Sequence, residues 1–200
     1  MRKRDHYHVG NLPATLLTEA RTLLEEAGPN KLSLREVAVR AGVSSAAMYH
    51  HYANKSDLLA KLAALGFQEL EADIRGAKLA DMPRKTLLAL SQVYFGFAMR
   101  NPGLYQLMFG PDWAPDLMRA ELTTARDAAF GALQQAIANE LGMDVDTPSV
   151  RQASLAGWAL AHGLSMLKIN QVLALPDGIE DRKLVAKTLE GLDLLFKHTS

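Results

Sequence analysis

A tight, glycine-containing turn between two short helical segments constrains this 200-residue chain more than any other feature. The first segment begins with Ser33 and Glu36, which form the Ser-x-x-Glu pattern of a capping box, and it runs to about residue 41. Gly42 supplies the permissive backbone that a helix end requires, and Ser44 is a natural N-cap for a second helix that ends near Tyr52. Two helices separated by so short a turn predict a helix-turn-helix.

Helical periodicity continues on both sides of this motif. Apolar residues recur every three or four positions over residues 12–27, with Pro13 in the first turn and Gly28 as a stop. A cap-like run at residues 54–57 opens a further helix that continues to about residue 74. Helical patterns then cover residues 87–99, 102–109, 116–141, 150–173 and 180–198. Because strand-like alternation and internal repeats are missing, the sequence predicts an all-α fold of about nine helices.

Composition narrows the class of protein. With 48% hydrophobic residues the chain can bury a substantial core, as one large or two small domains. It has no cysteine, which excludes disulfides, thiolate nucleophiles and the usual structural zinc sites. The pairs His6/His8 and His50/His51 lack carboxylates at a metal-binding spacing, so we expect no metal and no cofactor. The sequence also lacks a glycine-rich phosphate loop, a GxSxG turn and an HExxH motif, which argues against an enzyme.

The hydropathy pattern indicates neither export nor membrane insertion. The charged start, MRKRDHYH, is not followed by the apolar region of a signal peptide. The most apolar stretch, residues 153–175, is interrupted by His162, Lys168, Asn170 and Gln171, which would be costly at the centre of a bilayer. We therefore expect a buried helix there and a cytoplasmic protein.

The charges are unevenly distributed although their total is zero. Residues 1–55 contain eight basic and five acidic residues, a net charge of +3, which leaves −3 for the remainder. Four of the six histidines also lie in this first segment and can add positive charge beside phosphate. A small basic segment on an acidic body suits local DNA binding.

The second helix of a helix-turn-helix lies in the major groove, so its first residues must be small or able to hydrogen-bond to base edges. A lysine in the first turn of the next helix opposes the helix dipole unless a phosphate binds there. The same residues also suit an ordinary helix start with a solvent-exposed lysine, so spacing alone leaves both interpretations open. The candidate base-contacting residues are Ser45, Ala46, Ala47 and His50. The candidate phosphate contacts are Ser44, Tyr49, His51 and Lys55, and the set of DNA-binding candidates is completed by Ser33, Arg2, Lys3 and Arg4.

At these positions the sequence resembles the DNA-binding domain of the TetR/AcrR (tetracycline-repressor-like) regulators over residues 6–70. Pro13 and His50 stand where relatives often carry arginine, so two cationic contacts are missing or pH-dependent. The runs YHVGNL (7–12), RNPGLYQLMFG (100–110) and AGWALAHGL (156–164) are further similar to a subgroup with a WHG-type C-terminal domain. The matching positions of the first region are Ser33, Val37, Ala38, Ala41, Gly42, Val43, Ser44, Tyr49, Tyr52, Lys55 and Leu58.

The resemblance implies a DNA-binding domain at residues 1–55 and an effector-binding and dimerisation domain at residues 56–200. It further implies a homodimer, formed by the helices at 150–173 and 180–198, that binds a palindromic operator in double-stranded DNA. The expected protein is a repressor that a small molecule releases from DNA. The helix that begins at residue 54 joins both regions and is the expected lever.

Bulky and adaptable side chains in the second region could line a pocket for an apolar or aromatic effector. Each of them could equally fill a core, and His162 could be a packed residue with satisfied nitrogens. These candidates are Tyr94, Phe95, Met99, Tyr105, Met108, Phe109, Trp113, Met118, Trp158, His162 and Met166.

Two other functions remain open from the sequence. One is a DNA-binding regulator without a small-molecule effector, controlled by a protein partner. The other is an all-helical small-molecule carrier whose helix-turn-helix is incidental. The carrier would bind a ligand tightly but would bind DNA only at a salt-screened background level.

Overall fold

The computed structural model describes residues 11–79, 83–110, 120–172 and 181–197, and within these ranges it contains helices and no strand. This confirms the predicted all-α fold. The nine described helices are α1 (Leu12–Ala27), α2 (Leu34–Arg40), α3 (Ser45–His51), α4 (Lys55–Arg75), α5 (Pro83–Arg100), α6 (Pro102–Phe109), α7 (Ala120–Leu141), α8 (Pro148–Ile169) and α9 (Asp181–Lys197).

Serine side chains begin the two helices of the helix-turn-helix. Ser33 Oγ accepts a hydrogen bond from the Glu36 amide, and Ser44 Oγ accepts one from the Ala47 amide, each at 3.2 Å. Each serine thus satisfies an amide that the first turn of a helix leaves without a partner. The Glu36 carboxylate lies 3.6 Å from Arg40 Nε. One half of the predicted capping box, the bond accepted by Ser33, is confirmed.

The turn between α2 and α3 is a Schellman motif. Gly42 has a φ of 68°, in the left-handed region that glycine adopts without strain. Its amide donates to the Val39 carbonyl at 3.1 Å, and the Val43 amide donates to the Ala38 carbonyl at 2.9 Å. These two bonds satisfy the last carbonyls of α2 and fix the direction in which the chain leaves it.

Helix α4 begins with a reciprocal arrangement of side chains. Asn54 Oδ1 accepts from the Asp57 amide at 2.9 Å, and Asp57 Oδ2 accepts from the Ala53 amide at 3.0 Å. The predicted start of this helix is therefore confirmed, with an aspartate placed where it favours the helix dipole.

The chain divides into two compact units. The first unit comprises residues 1–64 and 103–122, and the second comprises residues 65–102 and 123–200. In the first unit α1 packs against α2, and α2 packs against α3. The functional boundary at residue 55 remains a prediction, because these units are defined by packing. The buried apolar residues of the first unit include Leu16, Leu24, Val37, Met48, Leu58, Leu62, Leu104 and Tyr105.

Helix α5 is the centre of the second unit and packs against both α8 and α9. Phe95 of α5 is buried in a cluster with one residue of α8 and three residues of α9. Met99, one turn further along α5, packs against the same cluster. The α8 and α9 members of the cluster are Leu164, Leu184, Val185 and Leu189.

Helix α8 ends at Ile169, four residues before the predicted end at residue 173. Gln171 has a φ of 55°, its amide donates to the Lys168 carbonyl, and the Val172 amide donates to the Leu167 carbonyl. This is again a Schellman end, formed here without glycine, which is why the sequence did not reveal it.

The described helices include none with the length and apolar character to cross a membrane. The predicted α7 residues 116–119 lie outside the described part of the chain.

Replacing Gln171 with glycine is expected to stabilise the protein by about 0.5–1 kcal/mol, because a left-handed backbone strains any residue with a Cβ atom. The free energy of unfolding from urea denaturation measures the change. Gln171→Ala is the matched control, since it removes the same side chain without relieving the strain. A glycine variant no more stable than the alanine variant would contradict the assignment.

Candidate functional site

Helix α3 buries only one of its sides in the core of the first unit. Met48 is fully buried, and Tyr52, at the C-cap, is buried as well. Tyr49, by contrast, is 57% exposed, which is unusual for an aromatic residue that has a core beside it. Ser45, Ala46 and His50 share the outward face with Tyr49, because Ser45 lies one helical turn before Tyr49 and Ala46 lies one turn before His50.

The predicted base-contacting residues lie together on α3. Ser45, Ala46 and His50 are exposed, and Ala47 is half-buried. None of the four belongs to the core. Ser45, Ala46 and Ala47 are small and lie at the start of the helix, so its backbone can approach a partner closely. The Ser45 hydroxyl and the His50 imidazole can exchange hydrogen bonds with base edges. The structure therefore brings the four predicted residues onto one short helix, although their contacts with DNA remain a prediction.

Of the predicted phosphate contacts, Ser44 is the N-cap of α3, Tyr49 and His51 lie on α3 itself, and Lys55 begins α4. The hydroxyls of Ser33 and Ser44 accept hydrogen bonds at the helix caps, but each can still donate its own hydrogen to an anionic oxygen. His51 is exposed and lies edge-on to the ring of His50, with the ring centroids 5.3 Å apart. Side chains that can hydrogen-bond to phosphate are thus present at both ends of α3.

Lys55 is the first residue of α4. Its Nζ donates to the Asn30 carbonyl at 3.4 Å, so the ammonium is directed towards the loop that precedes α2. An ammonium has three N–H donors, and one bond to a carbonyl leaves donors for a phosphate. The other predicted cations, Arg2, Lys3 and Arg4, lie outside the described residues.

Arg40 forms ion pairs with Glu26 and Glu36, and neither pair was predicted from the sequence. Its guanidinium lies 2.7 Å from Glu26 and 3.6 Å from Glu36. The hydrogen bond and the positive charge of Arg40 lower the pKa of Glu26, and Glu26 in turn raises the pKa of Arg40. The Glu36–Arg40 spacing of four residues was a visible signal for one of these pairs. Part of the basic charge of the first unit is therefore balanced within it.

Three of the predicted effector-binding residues meet in the second unit. Trp158 Nε1 donates to the hydroxyl oxygen of Tyr94 at 3.0 Å, and that oxygen lies 3.3 Å from His162 Nδ1. Since the tyrosine oxygen accepts from the indole, its own hydrogen is available to an unprotonated Nδ1. The Trp158 ring also packs against Phe130, with centroids 5.1 Å apart. Tyr94 is buried, whereas Trp158 and His162 are half-buried, so this polar chain is only partly enclosed by the apolar core.

A small cavity adjoins this polar chain. Its volume is about 10 Å³, enough for roughly one water-sized sphere and far below the several hundred cubic ångströms of typical ligand pockets. Gly157 contributes to the close packing here, because a Cβ atom at that position would lie 3.1 Å from Leu87 Cδ1. The lining residues are all uncharged and comprise Ile74, Leu87, Leu90, Ser91, Tyr94, Leu133, Gly157, Trp158 and Ala161.

The other predicted effector-binding residues are dispersed. Phe95 and Met99 belong to the core between α5 and α9, and Met166 is half-buried on α8. Helix α6 of the first unit carries three more, namely Tyr105, Met108 and Phe109, and Tyr105 is fully buried with its ring against Phe109. Trp113 and Met118 lie outside the described residues. Over the described residues, no group of three or more histidine or acidic side chains could hold a metal ion.

The first unit contains a helix-turn-helix, the motif with which many DNA-binding proteins enter the major groove, and the second unit is helical as well. Two family models match the chain. The model for the N-terminal region of bacterial regulatory proteins of the tetR family covers residues 16–62, and a tetracyclin repressor-like C-terminal domain covers residues 87–190. The chain therefore belongs to the TetR family. The family consists of regulators and not of enzymes, which confirms the expectation from the missing catalytic motifs.

Individual relatives and solved structures are similar to much of this chain. The transcriptional activator FasR of Mycolicibacterium smegmatis is 25% identical over 131 residues, which cover 64% of this chain and 60% of FasR. Among solved structures, a protein of unknown function from Rhodococcus sp. RHA1 is 30% identical, with a TM-score of 0.78 over 94% of this chain and 96% of that one. The TetR regulator PfmR from Thermus thermophilus shares the fold at 23% identity, with a TM-score of 0.59 over 85% and 92% of the two chains.

Acidification is expected to destabilise the second unit through His162. Burial lowers the pKa of His162 below its ordinary value of 6.5, so the unfolded chain takes up this proton more readily than the folded one. The stability contributed by the neutral ring is therefore complete above pH 6.5 and is lost as the pH falls towards the lower, folded-state pKa. Thermal unfolding at about pH 7.5, 6.5 and 5.5 measures the loss.

His162→Gln should show a shallower decline in melting temperature over this range than the unsubstituted protein. His50→Gln removes an exposed histidine and is the control for the general effect of pH. Parallel declines in the unsubstituted protein and in His162→Gln would overturn the assignment to this ring.

Proposed function

We propose that this protein binds a palindromic operator as a homodimer through α3, and that a small, uncharged apolar or aromatic molecule releases it. The observation that carries the proposal is the outward face of α3, where an exposed Tyr49 and His50 accompany small residues on a helix anchored by buried Met48. Residues 1–55 would serve DNA binding, and residues 56–200 would serve effector binding and dimerisation.

The test of DNA binding begins with selection of duplexes from a random-sequence pool by the purified protein. Fluorescence anisotropy then measures the affinity for the selected duplex and for a scrambled one at several salt concentrations. The proposal expects an inverted repeat in the selected sequences and a clear preference for it over the scrambled duplex. Equal, weak binding to both duplexes would favour a small-molecule carrier instead.

Two substitutions distinguish phosphate contacts from base contacts. Lys55→Ala should weaken binding to all duplexes and lower the slope of log affinity against log salt by about one unit, because it removes one phosphate contact. His50→Ala should mainly change which bases are preferred. Anisotropy titrations against the selected duplex and its single-base variants measure both effects.

Lys55→Arg is the matched control, since it keeps the cation and should keep the salt slope. Lys55→Ala also removes the bond to the Asn30 carbonyl, so its melting temperature is compared with that of the unsubstituted protein. Unchanged affinity and unchanged base preference in the two alanine variants would refute this DNA-binding face.

Apolar residues that face outward on α8 and α9 support a homodimer. Leu155 is 57% exposed on α8, and Leu195 is 68% exposed on α9, while Leu167 and Leu194 are exposed as well. Exposed leucines of this kind can form an isologous four-helix interface, with two helices from each protomer.

Small residues on the same two helices would let the partner helices approach closely. Gly163 of α8 and Gly191 of α9 have open space where a Cβ atom would stand. Ala156 of α8 is exposed, whereas Gly157 and Ala161 are buried. Gly163, Gly191 and Ala156 therefore support the proposed interface, while Gly157 and Ala161 pack inside the protomer.

A glutamate on this face is expected to prevent dimerisation without unfolding the protomer. In Leu155→Glu and in Leu194→Glu, the new charge would be buried against the partner but exposed in the monomer. Sedimentation velocity should show a dimer for the unsubstituted protein and a monomer for each variant, and the affinity for the inverted repeat should fall by roughly tenfold or more, because one half-site contact is lost.

Met143→Glu is the control for this experiment, because Met143 is an exposed apolar residue that follows α7 and lies outside both α8 and α9. It should remain dimeric. Dimers in both leucine variants would show that another surface holds the protomers together.

The chemistry of the second unit supports an uncharged effector. The residues around the cavity offer apolar surface and the hydroxyl and indole groups of Ser91, Tyr94 and Trp158, with no charged partner for an ion. The effector must bind an expanded state better than the packed one, which shifts the population between the two. Helix α4, whose residues 55–64 lie in the first unit and whose residues 65–75 lie in the second, is the proposed lever.

Repression is part of the proposal, because a protein bound over a promoter excludes polymerase. The relative FasR is named as an activator. In-vitro transcription from the natural promoter that contains the selected operator determines the sign of regulation. Lower transcript yield with added protein supports repression, and higher yield overturns it without affecting the DNA-binding assignment.

A further inference from the structure

Glu25, near the end of α1, caps another helix far away in the chain. Its Oε2 accepts from the Gly103 amide at 2.8 Å, and its Oε1 accepts from the Leu104 amide at 2.9 Å. Both amides belong to the first turn of α6, where backbone N–H groups have no partner within the helix. Because the acceptor is a carboxylate at the positive end of a helix dipole, both bonds are of the stronger, charge-assisted kind.

The contact between α1 and α6 is too close for a side chain at residue 103. A Cβ atom on Gly103 would lie 2.7 Å from the Leu24 carbonyl oxygen and 3.1 Å from Glu25 Cα. Leu24 and Leu104 are almost completely buried at this contact. Glycine is therefore required for backbone-to-backbone packing, and α6 is fixed to α1 by both hydrogen bonds and packing.

This contact gives a role to the run RNPGLYQLMFG, which matched the family pattern without an evident function. Helix α6 belongs to the first unit together with α1, α2 and α3. Along the chain it follows α5 directly, with Asn101 as the single residue between them. Asn101 is itself tied to the end of α5, since its side-chain amide donates to the Phe97 carbonyl at 3.0 Å. Along the chain, α5 therefore continues into α6 through one residue.

We infer that Glu25 is a positioning residue that makes α6 a rigid part of the DNA-binding unit and thereby couples α5 to the helix-turn-helix. The inference rests on the proposed function, since it concerns how operator binding and the effector region influence each other. With the cap intact, stabilisation of α3 by DNA extends through α1 to the first turn of α6. With the cap removed, α6 opens independently and this coupling weakens.

Hydrogen exchange of individual amides, followed by NMR, tests the cap in the free protein. Glu25→Gln keeps the size of the side chain but removes its charge, and it should speed exchange of the Gly103 and Leu104 amides by about tenfold. Glu26→Gln is the matched control, because the neighbouring carboxylate pairs with Arg40 and not with α6. Exchange at residues 103 and 104 that is equal in the two variants would overturn the inference.

The same measurement with the selected operator duplex tests the coupling. In the unsubstituted protein, DNA should slow exchange in α3 and also in the first turn of α6. In Glu25→Gln, the slowing in α3 should persist while the slowing in α6 is lost. Equal slowing of α6 in both proteins would overturn the coupling while leaving the proposed function intact. Absence of any slowing in α3 of the unsubstituted protein would overturn both.

A second variant reaches the same contact by another route. Gly103→Ala keeps the Glu25 side chain and its charge but introduces a Cβ atom that would lie 2.7 Å from the Leu24 carbonyl oxygen and 3.0 Å from Glu25 Oε2. It should reproduce the loss of coupling seen with Glu25→Gln. Gly131→Ala adds a Cβ atom to a helix where nothing lies within 4 Å, and it should retain the coupling. A Gly103→Ala variant that retains full coupling would count against the inference.

Discussion

The turn between α2 and α3 is the constraint on which the arrangement of the first unit depends. Gly42 ends α2 in the left-handed conformation, and Ser44 starts α3 two residues later, so the two helix axes are related by a fixed, short connection. This places Met48 in the core and Tyr49 outside it. Because consecutive helical residues are about 100° apart around the axis, the core can hold Met48 while the next residue, Tyr49, faces outward.

Most of the helix boundaries could be predicted because they depend on local chemistry. Serine and asparagine caps, together with glycine at helix ends, act within a few residues of their partners, so they are visible in the sequence. The end of α8 could not be predicted in this way, because no glycine stands there. Gln171 adopts a conformation that glycine usually provides, and nothing in its neighbours signals it.

The candidate sites were predictable to different degrees. On α3 the predicted residues are nearly consecutive, so a correct helix places them together without further information. The effector candidates were chosen by size and periodicity, which identify buried faces but not which core each face enters. Tyr94 and Trp158 therefore share a cluster, whereas Tyr105 belongs to the first unit. The bonds from Glu25 to α6 join residues 78 and 79 positions apart, and no local pattern specifies such a pair.

The cavity beside Tyr94 and Trp158 bears on the kinetics of any molecule that enters there. A space of about 10 Å³ admits no effector until surrounding side chains such as Leu87 move, so entry waits for a transient opening. The association rate is then limited by the frequency of opening, and the apparent dissociation constant is the intrinsic one divided by the fraction of time spent open. If the proposed effector binds here, such tight packing favours slow capture and slow release, so that a response would outlast a brief pulse of effector.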